Sequence, residues 1–162
     1  MSIKGMTRAE ARKIGGRKGL ISSVVGLITA YLIMAMMTGI GGRGMDLGWI
    51  ADAGMQLNMV LGAVIMLISG YLWGQLAGIT ILINKKNHLV AGILCGIGAL
   101  MTTAFLSGLP GFLLEGMPWK YSIKEGFESY VVKPFTWITV FGIIPAVAVG
   151  VWMGWRIKRC RI

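Results

Sequence analysis

The sequence predicts an all-α polytopic membrane protein: a bundle of four transmembrane helices, with short interfacial helices in its two outer loops. Three observations carry this expectation. The 162 residues are 56% hydrophobic and only 14% charged, with a mean hydropathy of +0.74. Charged residues usually make up about a quarter of a soluble domain, so this chain lacks the polar surface that water requires. Four runs, at about 19–40, 59–83, 89–114 and 135–155, contain almost no ionisable side chain. Each meets the roughly 20 apolar residues needed to cross about 30 Å of hydrocarbon. Finally, the basic residues gather at the ends of these runs, as topology signals do.

Residues 1–18 read as a basic cytoplasmic leader. Thr7-Arg8-Ala9-Glu10 has capping-box spacing, in which the hydroxyl and the carboxylate each satisfy a free amide of the first helical turn. A short basic helix from about Arg8 to Ile14 is therefore expected on the inner leaflet, with Gly15-Gly16 breaking it from the first span. That span is longer than the 7–15-residue core of a secretory signal, and no small-x-small cleavage site follows it before Gly41-Gly42-Arg43.

The stretch 45–58 carries Leu47, Trp49, Ile50, Met55 and Leu57 among few charges and reads as an interfacial helix. The second and third spans are joined by the short loop holding Lys85 and Lys86. Pro110 is placed to end the third span early. In the second outer loop, 117–134, Phe127, Tyr130 and Val131 fall on one helical face, which predicts a second interfacial helix. Pro145 lies near the centre of the fourth span and predicts a kink. The transmembrane unit thus covers 19–157, followed by a basic tail at 158–162.

Orientation follows from Lys and Arg. The leader, the Lys85-Lys86 loop and the tail hold twelve of the 16 basic residues and a single acid, Glu10. The positive-inside rule places all three in the cytoplasm, which requires an even number of spans and suits a bacterial cytoplasmic (inner) membrane. Lys13, Arg17, Lys18, Arg156, Lys158 and Arg159 are the expected contacts to anionic lipid headgroups. The formal charge of +10 otherwise suggests nucleic acid, but its clustering at the span ends argues against that partner.

Glycine, with 25 residues, gives the most specific pattern. Gly70, Gly74 and Gly78 form one stripe on the second span; Gly142, Ala146, Gly150 and Gly154 form another on the fourth; the third offers Gly92 and Gly96. Ser22, Gly26 and Ala30 supply small residues on the first. In lipid, helices associate by close backbone approach along such stripes. The stripes are expected first to pack the helices of one subunit; the alternative is that they also face sister subunits or a pore.

Chemistry is sparse. His88 is the only histidine and has no acidic cluster beside it, so no metal site is expected. No nucleotide-binding loop, hydrolytic triad or CxxC is present, and no cofactor is implied. Cys95 reads as packing and Cys160 as a reduced cytosolic thiol. Proton relays need ionisable groups within the spans. The remaining candidates for a pore-lining or ligand contact are Gln75, Trp73, Thr103 and Pro145. The sequence therefore favours a non-enzymatic protein that assembles through its glycine stripes into an oligomeric channel or pore-like unit. The alternative is an accessory or anchor subunit of a larger membrane complex, and a lipid-surface enzyme ranks third.

Overall fold

The computed structural model describes residues 6–39, 56–113 and 122–160. Among these there is no strand, and four helical stretches are long and apolar enough to cross a membrane. Helix α1 is Arg8–Gly39, α2 is Gln56–Gly78, α3 is His88–Gly111, α4 is the short Ile123–Phe127, and α5 is Lys133–Arg159.

Helix α1 begins where Thr7 and Glu10 satisfy one another's backbone. The Thr7 amide donates to Glu10 Oε2 at 2.8 Å, and the Glu10 amide donates to Thr7 Oγ1 at 3.2 Å. The expected break at Gly15-Gly16 is absent: α1 runs unbroken for 32 residues. Both glycines are buried and face α2, which explains why they are glycine without invoking a hinge. Sequence reading took a packing feature for a chain break.

Helix α2 continues through a π-helical turn, Ile79–Ile83. It ends where Lys85 takes a left-handed φ of 51°, the conformation that commonly closes a helix. Asn87 then caps α3, its side chain accepting from the Leu89 amide at 2.9 Å. The whole link between α2 and α3 is therefore a tight, polar reversal. Pro110 does not end α3, which continues through it to Gly111.

Ser122 and Glu125 form a second capping box at the start of α4. The chain then passes through a π-helical turn, Glu128–Val132, directly into α5. The segment expected as a separate interfacial helix is thus a continuation of the last span, and it is packed onto α3. Val131 is 2% exposed, the backbone at Tyr130 and Val131 lies against Gly108, and the Phe112 and Phe127 rings meet edge to face at 5.6 Å. The interfacial helix expected within 45–58 lies almost wholly outside the described residues.

Each helix packs against its two neighbours in the cyclic order α1, α2, α3, α5. The hairpins α1–α2 and α3–α5 are the tight units, and both rest on small residues. A Cβ placed on Gly74 would sit 2.6 Å from the Gly15 carbonyl oxygen and 2.7 Å from Gly19 Cα. One on Gly78 would collide with the Ala11 carbonyl, and one on Gly70 would meet Ser23 Cβ at 2.9 Å. The α1 face is therefore Ala11, Gly15, Gly19 and Ser23, at spacing four, rather than the Ser22–Gly26–Ala30 row. Across the other hairpin, a Cβ on Gly150 would lie 2.6 Å from the Gly92 carbonyl, and one on Gly96 would lie 2.7 Å from that of Ala146. Gly154 abuts the His88 carbonyl. Gly142 differs from the other glycines of this hairpin face in meeting a side chain, with Leu100 Cδ1 at 2.7 Å.

Candidate functional site

The fourth seam, between α1 and α5, is the least closely packed of the ring. Along it runs a cavity of about 500 Å³, within the 300–1,000 Å³ range typical of ligand sites. On α1 its walls extend from Gly19 to Met37 and on α5 from Trp137 to Met153, with Trp73 of α2 and Thr103 of α3 behind. Eighteen residues of rise at about 1.5 Å each make it about 27 Å long.

Its two ends differ. At the end carrying Gly19, Ser22, Ser23, Gly150 and Met153, the lining is buried. At the other end, Met34, Met37, Trp137 and Phe141 line the cavity and are also between 41% and 63% exposed. The site is therefore a blind slot that opens sideways near one end of the bundle. The blind end points toward the basic loops, because the start of α1, the Lys85-Lys86 reversal and the end of α5 lie together there.

The lining carries no acidic or basic side chain. Its polar groups are mostly spent on their own helices. Ser23 Oγ donates to the Gly19 carbonyl at 3.1 Å, and Thr103 Oγ1 to that of Ala99 at 2.8 Å. Trp73 Nε1 donates to Thr102 Oγ1 at 3.1 Å, while the Thr102 hydroxyl donates to the Gly98 carbonyl at 2.7 Å. Ser22 is the exception: it is 5% exposed and its Oγ has no hydrogen-bond partner. Pro145 also borders the slot, where its missing amide leaves the Phe141 carbonyl without the usual helical donor.

Of the four residues singled out for ligand contact, Trp73, Thr103 and Pro145 thus share one cavity. Gln75 does not line it; its side chain packs over Gly16, together with the Tyr71 ring. Sequence reasoning missed Phe141, Trp137 and the Met34–Met37 rim, which look like ordinary apolar span residues. Only the pairing of α1 with α5, which no local pattern encodes, brings them to one seam.

The six basic residues assigned to headgroups all lie at the blind end. Lys13, Arg17, Lys158 and Arg159 are exposed, and Lys18 and Arg156 half-buried. Arg156 sits 4.8 Å from the centre of the Trp152 ring and Arg159 sits 3.5 Å from that of Trp155. Such cation–π pairs hold the guanidinium over an indole at the edge of the apolar zone. Among the described residues no group of three or more His, Cys, Asp and Glu comes together.

Trp73→Phe should remove the α2–α3 hydrogen bond while keeping most of the ring. Interhelical bonds of this kind contribute about 0.6 kcal/mol on average and about 1.7 at most. A correspondingly small fall in Tm in detergent is expected; an unchanged Tm would show that the bond is not formed.

Comparison with protein-family models, with curated proteins and with solved structures finds no match to this chain.

Proposed function

We propose that this chain is a non-enzymatic integral protein of a bacterial-type cytoplasmic membrane, with both termini cytoplasmic. In this reading it works as a membrane-embedded accessory or binding subunit. The observation that carries this is the lining of its central cavity. An ion path needs a row of polar or charged groups to replace lost hydration, and this cavity offers an apolar wall whose polar atoms, Ser22 apart, are occupied. The glycine faces point the same way. Gly70, Gly74, Gly78, Gly92, Gly96, Gly150 and Gly154 are in contact within one chain, so they are not free to build a channel from several copies. The bare apolar outer faces, with residues such as Val60 at 61% and Ile144 at 77% exposure, suit lipid or another membrane subunit.

Purified alone in mild detergent, the protein should have the mass of one chain and give no ion flux in liposomes. A homogeneous oligomer that conducts ions would overturn this reading in favour of the channel. The orientation has its own test. Ser129 is exposed, at the end of the bundle away from the basic loops. In a background with Cys160→Ser, Ser129→Cys should react with an impermeant thiol reagent on intact cells. Reaction only after lysis would reverse the topology.

A further inference from the structure

We propose that the slot between α1 and α5 is a lipid-chain site: it takes one hydrocarbon chain of a phospholipid from the leaflet opposite the basic loops. This rests on the membrane reading above and adds the class of ligand.

Four features of the slot select this occupant. Its shape is long and thin: about 500 Å³ spread over about 27 Å corresponds to a width of about 5 Å. A helix with its side chains is roughly 10–12 Å across and does not fit inside. An extended alkyl chain does. The chemistry excludes charged and strongly polar contents, since the walls hold no ionisable group apart from the Cys95 thiol and almost no unspent hydrogen-bonding capacity. Water is a poor tenant for the same reason, because a buried water needs two to four polar partners. The opening lies on the side of the bundle, between Met34 and Met37 on one helix and Trp137 and Phe141 on the other, where lipid chains would be the neighbouring phase. The charge at the mouth fits as well. Lys133 is exposed one helical turn before Trp137, on the same face of α5. It is placed to meet the phosphate of a lipid whose chain has entered the slot, with the indole at the headgroup level that tryptophan favours.

The blind end sets how far the chain reaches. Gly26 and Gly142 line the middle of the slot, and Ala99 and Cys95 lie on its inner wall. Cys95 is 7% exposed and cannot be reached by lipid around the bundle. A chain that labels it must have entered the cavity.

The test uses the full chain in phosphatidylglycerol–phosphatidylcholine vesicles containing a phospholipid with a photoreactive diazirine near the end of one acyl chain. Irradiation and peptide mapping should place adducts on the 95–100 stretch of α3, as well as on lipid-facing controls such as Val60 and Leu94, which are 61% and 62% exposed. Ala30→Phe, at the half-open rim, fills the slot without touching the glycine contacts. It should reduce adducts on 95–100 at least tenfold and leave those on Val60 unchanged. Adducts on Val60 and on outward residues with none at Cys95 or Ala99 would overturn the proposal while sparing the membrane reading. Adducts at 95–100 that persist in Ala30→Phe would also overturn it, since the label then arrives by another route. Absence of adducts everywhere, Val60 included, would overturn both.

Discussion

Gly74→Leu should prevent the α1–α2 hairpin from forming. At this position the added Cβ alone would lie 2.6 Å from the Gly15 carbonyl oxygen and 2.7 Å from Gly19 Cα, both backbone atoms that cannot rotate away. The helices would have to separate along the whole Ala11–Gly78 face, losing the contacts at Gly15, Gly19, Gly70 and Gly78 together. Overpacking in a rigid core costs about 1–3 kcal/mol. A leucine against backbone on both sides belongs at or above the top of that range. The expected result is a large loss of folded monomer, read as aggregation on detergent gel filtration and a Tm lowered by many degrees. Gly142→Leu is the control, because its neighbour is the flexible end of Leu100 rather than backbone, and it should be tolerated far better. Equal behaviour of the two variants would mean that the glycine face does not hold the hairpin.

The second large effect concerns the solvent. Ile144 lies near the middle of α5 and is 77% exposed. On a water-soluble protein, Ile144→Arg would change stability by no more than about 0.5 kcal/mol and would aid solubility. At the centre of a bilayer an arginine costs about 2.5–3.5 kcal/mol to insert. The variant should therefore show a fall in membrane-inserted protein, with part of the α4–α5 stretch failing to integrate. Arg introduced at Lys158, in the basic end, should have no such effect. Improved yield of soluble Ile144→Arg protein would reverse the account.

The four long helices could be read from the sequence because long runs of apolar, uncharged residues follow simple length rules. Length and lack of charge located the second span to within a few residues, and basic residues marked which ends lie together. What escaped the reading was register and pairing. Gly15-Gly16 looked like a break because two glycines beside lysines and arginines resemble a loop. In the fold Gly15 completes the small face formed by Ala11, Gly19 and Ser23, and Gly16 lies beside it under Tyr71 and Gln75, so α1 starts a full three turns earlier than the apolar run implies. Pro110 looked like a stop, yet the helix passes through it, since a proline near a helix end removes only one bond. The 117–134 stretch looked like a separate interfacial helix because Phe127, Tyr130 and Val131 share one helical face; in its described part, Gly126, Val131 and Phe127 instead carry the helix against α3 and on into α5.

The candidate site was legible only in pieces. Trp73, Thr103 and Pro145 stand out as a polar aromatic, a hydroxyl and a helix breaker in otherwise apolar runs. Their convergence on one cavity depends on α1 lying against α5, a contact between the two ends of the chain. Gln75 carried an equally strong local signal and faces elsewhere, over Gly16. Identity marks residues that are unusual in apolar runs, whereas helix rotation decides what they touch.

The claim beneath all of this is that the outward faces of these helices meet hydrocarbon. Membranes from cells expressing the chain, washed with alkaline carbonate, test it most directly. The account predicts that the protein stays in the sedimented bilayer and is released only by detergent. Recovery of folded, monomeric protein in the wash would contradict it.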